Sequence, residues 1–179
     1  MKVPGEKIIE GCQASSTATE QVMPANFNEP NQTVVSGHTA ACDRFVKWLE
    51  ENHSDPYRAI ELNVSAPFHS SLMEPAADKL KAHFDNIEFR PNELPYIANV
   101  DAKELPVGTS PEIIKENLYQ QVAGSVLWSQ SIEQLPDDTL CIEVGPGRVL
   151  MGLLRKINRN IKVISLDKDG AFEELEGLL

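Results

Sequence analysis

No run in this sequence is long and apolar enough to span a membrane, and the N-terminus carries no apolar segment of the kind a secretory leader needs. Cysteine is scarce. Cys12, Cys42 and Cys141 are an odd number at spacings that match no metal site, so they read as free thiols in a reducing cytoplasm, and no metal set is expected. Positive charge is short as well: 16 Lys and Arg face 27 Asp and Glu, and the net charge of −11 weighs against nucleic acid as a partner. There is no repeat and no low-complexity segment. What is present is a 179-residue chain, 41% hydrophobic, enough for one globular domain with a core, or one with a small appendage.

The first 21 residues are polar and broken by Pro4, Gly5 and a Ser/Thr run, and only Glu6 to Cys12 hints at a helix end. They read as a linker-like tail or a truncated element. Two short apolar runs follow, Val22 to Ala25 and Thr33 to Ser36, around the turn-forming Asn26-Phe-Asn-Glu-Pro-Asn31; a hairpin is expected there. The spacing of Ala41, Phe45, Trp48 and Leu49 predicts a helix over 39–52.

From residue 59 the pattern alternates. Ala59-Ile-Glu-Leu-Asn-Val64 reads as a strand, 72–84 as a helix, and Leu94 to Val100 as a strand. A helix follows from Pro111, with Ser110 as its cap and Gly124 as its interruption before Val126 to Leu135. Thr139 to Val144 and Ile161 to Leu166 complete the strands, with helices at 149–157 and 171–178. Strand–helix alternation predicts an α/β fold, a parallel sheet covered by helices. The hairpin before it does not fit that sheet and is assigned to a small α+β subdomain over residues 1–64, leaving 65–179 as the larger α/β part.

The chemistry centres on Asn63-Val-Ser-Ala-Pro-Phe-His-Ser-Ser-Leu-Met73. Pro67 stops the strand, and Ser70 and Ser71 stand where they can cap the next helix. His69 therefore sits at a strand-to-helix junction, where an imidazole can move protons near neutral pH. The bland alternative is a structural histidine. Ser65 and Ser70 read as caps, and His38, His53 and His83 as surface or capping groups. Glu143-Val-Gly-Pro-Gly147 has two glycines between strand and helix, a weak nucleotide signal that reads more simply as a turn. Arg148, Arg155, Lys156, Arg159 and Lys162 make a local basic stretch, fit either to steer an acidic partner or to complement a helix C-terminus.

Five pieces recur in one order: Asn26-Phe-Asn28, Ser65-Ala-Pro-Phe-His-Ser70 with Leu72-Met73, Ile97-Ala-Asn-Val-Asp101, Gln121 seven residues before Trp128, and Glu143-Val-Gly-Pro-Gly-Arg-Val-Leu150. In that order and spacing, from Val22 to Ile164, the chain resembles the malonyl-CoA:acyl carrier protein transacylases and the acyltransferase domains of polyketide synthases. The resemblance implies ping-pong transfer of a malonyl group from malonyl-CoA, as substrate and not cofactor, to the phosphopantetheine thiol of acyl carrier protein in the cytoplasm. It implies that His69 activates a serine. By the same likeness Gln121 offers the main-chain carbonyl that orients the ring in place of a triad aspartate. Asn28 lines the cleft, and Phe68 matches the malonyl-selective pattern. The hairpin region becomes a partial ferredoxin-like subdomain, and residues 65–179 the C-terminal part of an α/β-hydrolase-like core.

The same resemblance marks what is missing. The chain contains no Gly-x-Ser-x-Gly, no early Gln-rich oxyanion loop and no arginine after a nucleophile. It resembles the C-terminal portion of a transacylase, whose partners would be acyl carrier protein, malonyl-CoA and a separate N-terminal half. A catalytically silent half that binds a carrier protein or subunit is the alternative.

Overall fold

The computed structural model describes residues 3–178. The chain divides into two compact units, Met1–Ser131 and Ile132–Leu179, with the short helix α5 (Trp128–Glu133) running through the division.

The first unit is built on a hairpin. β1 (Val22–Glu29) pairs antiparallel with β2 (Gln32–Gly37), from Val22 opposite Gly37 to Glu29 opposite Gln32, with irregularities after Pro24 and Phe27. Proline cannot donate to a ladder, and a bulge beside it absorbs the missing bond. At the tip the Glu29 carboxylate accepts the Asn31 N–H at 2.7 Å, an Asx-type turn closure made by a longer side chain. Helix α2 (Thr39–Asn52) follows with the expected bounds, and Ala41, Phe45 and Leu49, spaced by four, form its buried stripe.

The polar opening is not a tail. Residues Gly5–Ser15 form α1, which buries Ile8, Gly11, Cys12 and Ser15. Ile8, Cys12, Val22, Ala41, Phe45 and Leu49 make one core. The helical stripe was hidden because three of its four positions are Gly, Cys and Ser, small residues that let helices approach closely without scoring as apolar. Burial pushes the Cys12 thiol up to about 12, with Cys42 nearby adding to it, so Cys12 behaves as a small core hydrophobe.

The predicted strand over 59–64 does not form. Residues 53–70 lie outside helices and strands, and their local bonds are tight turns, Val64 N–H to the Leu62 carbonyl and Phe68 N–H to Ala66. Ile60, Leu62 and Val64 are 61%, 52% and 61% exposed. A strand needs a neighbour for its N–H and C=O groups, and this stretch has none among the described residues. A 3₁₀ turn at Ser71–Met73 leads into α3 (Glu74–Phe84), which packs on α4 (Pro111–Ala123). The Tyr119 hydroxyl donates to Asp78 at 3.0 Å, and Lys81 lies 4.7 Å over the Tyr119 ring. The strand expected over 94–100 shrinks to β3 (Tyr96–Ile97), which pairs antiparallel with β4 (Glu104–Leu105).

The second unit carries the expected parallel pairing. β5 (Leu140–Glu143) lies parallel to β6 (Lys162–Ser165), with Leu140 opposite Lys162 and Glu143 opposite Ser165. Their connection contains α6 (Val149–Ile157), and α7 (Ala171–Glu176) follows. Leu154, Ile161, Val163, Ile164 and Ala171 are among its buried residues. Parallel strands need such a crossover because a tight turn cannot join them.

Candidate functional site

His69 lies at the end of the irregular segment, with φ at +56°. That left-handed conformation costs a residue with a Cβ on the order of 1–2 kcal/mol, so its surroundings must hold it there. The Ser70 hydroxyl, 1% exposed, donates to the Pro67 carbonyl at 2.6 Å and closes the turn around His69. Ser70 occupies the position before the 3₁₀ turn but makes no side-chain cap bond, so the capping role expected of it gives way to this loop closure. The next residue ties the turn to the hairpin: the Ser71 N–H reaches Met23 Sδ at 3.3 Å and its hydroxyl donates to Gln21 Oε1 at 2.7 Å.

The imidazole meets the C-terminus of α4. His69 Nδ1 is 3.1 Å from the Gln121 carbonyl oxygen and 3.1 Å from the Gly124 carbonyl oxygen. A helix ends with carbonyls that have no partner within it, and here two of the chain's terminal carbonyls converge on one ring nitrogen. Carbonyls only accept, so Nδ1 carries the hydrogen and the neutral ring keeps its lone pair on Nε2. That is the tautomer a general base requires.

The segment after α4 is fastened to the hairpin as well. Ser125 Oγ donates to the Pro24 carbonyl at 2.6 Å. The Phe27 N–H reaches Val126 O at 2.9 Å, and the Val126 N–H reaches Ala25 O at 2.8 Å, in a parallel bridge between Asn26 and Val126. Both walls of the site, 69–71 and 124–126, are thus held by β1.

Of the residues singled out, His69 and Gln121 come together. Phe68 adjoins His69 and is 48% exposed. Asn28 is half-buried in β1 and makes no side-chain hydrogen bond to the other three. Gly124, Ser70 and Met23 were not singled out as contacts. A carbonyl belongs to every residue type, so Gly124 could be found only from its place at a helix end. The serines on the two walls are already engaged, Ser70 with the Pro67 carbonyl and Ser125 with the Pro24 carbonyl. Among the described residues no cluster of His, Cys, Asp or Glu could hold a metal ion, and no helix is long and apolar enough to cross a membrane.

In the second unit the Gly145-Pro-Gly147 turn is structural. Gly145 and Gly147 have φ of +138° and +86°, which glycine adopts without strain. The N-terminus of α6 is already served: the Glu143 carboxylate accepts the N–H of Leu150 at 2.9 Å and of Met151 at 3.0 Å. A phosphate would compete with that carboxylate for the same donors. Arg155, Arg159 and Lys162 line an open concavity with Glu174, whose carboxyl is held below the usual range first by its hydrogen bond from Lys168.

No protein-family model matches the chain. It is 36% identical over 174 residues to a malonyl CoA-acyl carrier protein transacylase of Staphylococcus aureus strain COL, covering 96% of this chain and 54% of that protein. It is 39% identical over 166 residues to the corresponding transacylase of Bacillus subtilis strain 168, covering 90% and 51%. Among solved structures, a malonyl-transacylase in complex with its type II PKS acyl-carrier protein superposes with a TM-score of 0.87 at 32% identity, over 99% of this chain and 56% of that one. The chain spans about half the length of the curated relatives it matches.

Proposed function

We propose that this chain, a relative of the malonyl CoA-acyl carrier protein transacylases over nearly its whole length, contributes the proton-accepting half of a malonyl transfer site. In the proposed cycle a serine hydroxyl attacks the malonyl thioester while His69 Nε2 takes its proton. The tetrahedral intermediate collapses, coenzyme A leaves as a thiol with that proton, and the malonyl group stays on the serine. The phosphopantetheine thiol of an acyl carrier protein then attacks the malonyl-serine, with His69 removing the thiol proton and returning it to the serine. Acyl exchange between thioesters draws on no separate cofactor. The Gln121 carbonyl holds the ring in the tautomer this cycle needs, Asn28 lines the cleft and Phe68 shapes the acyl site.

The observation that carries this reading is the 3.1 Å contact between His69 Nδ1 and the Gln121 carbonyl, in a chain 36% identical to a transacylase over 174 residues. On this reading residues 1–64 form part of a ferredoxin-like subdomain and 65–179 the C-terminal part of the large α/β subdomain. Free thiols at 12, 42 and 141 fit a reducing cytoplasm.

Catalysis needs a nucleophile, and no Gly-x-Ser-x-Gly occurs in this sequence. The chain alone is therefore inactive, and a segment bearing that serine, with oxyanion donors worth roughly 10² to 10³ in rate, completes it. A second reading, a silent half that binds a carrier protein or subunit, draws on the exposed Ile60, Leu62 and Val64. The deciding experiment mixes this chain with a separately produced N-terminal half of the Bacillus subtilis transacylase, malonyl-CoA and holo-carrier protein, and follows malonyl-carrier by mass spectrometry. Transfer by the mixture, absent from either half alone and reduced by about 10² to 10⁴ in His69→Ala, supports the catalytic reading. A complex that forms and transfers nothing supports the second. Turnover by the chain alone, or full activity in His69→Ala, sinks the first.

A further inference from the structure

We infer that Met23 is an oxidation site that governs the His69 turn: its thioether sulfur ties that turn to β1, and conversion to the sulfoxide by a peroxide lets the turn go. The inference deepens the reading of His69 as proton acceptor, and its bearing on malonyl transfer rests on that reading.

The turn explains why a sulfur is used. Ser71 opens the 3₁₀ turn Ser71–Met73, and the first amides of a helical segment have no acceptor within it. The residue before such a start commonly supplies one from its side chain. Ser70 does not, because its hydroxyl is committed to the Pro67 carbonyl at 2.6 Å. Neighbouring amides use main-chain carbonyls: the Phe68 N–H reaches Ala66 and the Met73 N–H reaches Ser70, both at 2.9 Å. The Ser71 N–H instead points out of the turn to Met23 Sδ at 3.3 Å. The other tie between Ser71 and the hairpin, from its hydroxyl to Gln21 Oε1, is exposed, whereas the contact with sulfur is partly buried. Water therefore competes more for the first than for the second. Met23 is fixed at its backbone, opposite Ser36 in the β1–β2 ladder. Its side chain thus links a held strand to the turn just after His69.

The link is weak and its acceptor is reactive. A thioether accepts hydrogen bonds poorly, and the lone pairs that accept are those that react with peroxide. Met23 is half-buried and lines an open concavity of about 440 Å³ with Gln13, Thr17, Gln21 and Pro24, so a molecule as small as hydrogen peroxide reaches it. A sulfur lone pair attacks one peroxide oxygen and the O–O bond breaks. The hydroxide released takes the proton from the transferred oxygen and leaves as water; sulfur is oxidised by two electrons and the peroxide is reduced. The product is a polar, chiral side chain. Its sulfur has given up a lone pair, and no oxygen fits between sulfur and nitrogen at 3.3 Å. The Ser71 N–H must lose its acceptor or move to reach the new oxygen. His69, held at a φ of +56°, relaxes when the turn moves.

The test is nuclear magnetic resonance on the nitrogen-labelled full chain before and after hydrogen peroxide, with sulfoxide at Met23, Met73 and Met151 counted by peptide mass spectrometry. Oxidation at Met23 should speed hydrogen exchange of the Ser71 amide by about two- to tenfold. It should also broaden or erase the His69 Nδ1 proton signal, with the β1–β2 ladder amides unchanged. Methionine sulfoxide reductases should restore both signals. Met23→Leu keeps the apolar bulk and lacks the acceptor; it should show both changes without peroxide and no further change with it, although Met73 and Met151 still oxidise. Three results overturn the inference: sulfoxide at Met23 with the Ser71 and His69 signals unmoved, Met23 left as thioether where Met73 and Met151 are oxidised, or ladder amides that loosen together with Ser71. Where Met23→Leu does not fold, the peroxide and reductase arms on the parent chain decide. Neither coenzyme A nor a second chain enters the measurement, so a mixture that transfers no malonyl group would defeat the functional reading and leave this one standing.

Discussion

The hairpin and the segment just after α2 offer a direct contrast. In the hairpin Val22 and Ala25 are 3% and 1% exposed, and each strand has its neighbour. In residues 59–64 the apolar alternation is cleaner, yet Ile60, Leu62 and Val64 face outward and no ladder forms. Alternation states which face of a strand prefers to be dry; it does not supply the strand alongside. The hairpin carries its partner within 15 residues, whereas the later stretch has no partner strand among the described residues. The lesson is that local pattern becomes structure only where the matching backbone is within reach.

Three experiments test that contrast. The largest effect is chemical. At pH 8 a thiol shifted from 9 to about 12 has roughly a thousandfold less thiolate. Cys12 should therefore be alkylated about 10³-fold more slowly than a thiol introduced by Leu62→Cys, read by peptide mass spectrometry; comparable rates would mean that the α1–hairpin core is open. The sign of the linked stability follows: burial keeps Cys12 protonated in the folded chain, so its contribution is intact below about pH 9 and declines as pH rises from there toward 12.

The next effect is energetic. Phe45→Ala, at a position 4% exposed in the core, should lower unfolding free energy by about 3–5 kcal/mol. Leu62→Ala should change it by no more than about 0.5 kcal/mol in the chain alone. Both are read by urea titration, and equal losses would erase the distinction between the two regions. The smallest concerns the second unit, where β5 closes its own helix cap. Glu143→Ala removes both acceptors from the α6 N-terminus and should cost about 1 kcal/mol, with a urea midpoint unchanged from the parent counting against the cap.

Legibility followed the same rule. The hairpin and α2 were readable because their turn residues, Pro30 and Asn31, and the Ala41–Phe45–Leu49 stripe are local signals. The parallel pairing of β5 and β6 was readable because a strand, a glycine turn and a helix in sequence leave one economical return. α1 was missed because Gly11, Cys12 and Ser15 pack tightly without looking apolar. The pattern overstates the strands at 59–64 and 94–100, the first having no partner among the described residues and the second spending its pairing on the nearby Glu104–Leu105. In the candidate site the imidazole was legible and half of its support was not, since Gly124 acts through a main-chain atom.

Local signals along the chain were enough for the elements whose partners lie close by, and for the place of His69 between a proline and the helix that follows. Tertiary structure alone decided that the last carbonyls of α4 meet that ring, that Ser70 closes the turn instead of capping a helix, and that β1 fastens both sides of the site. The reason is that side-chain identity fixes preferences of burial and turn, whereas main-chain carbonyls are alike at every residue and acquire a role only from where the folded chain puts them.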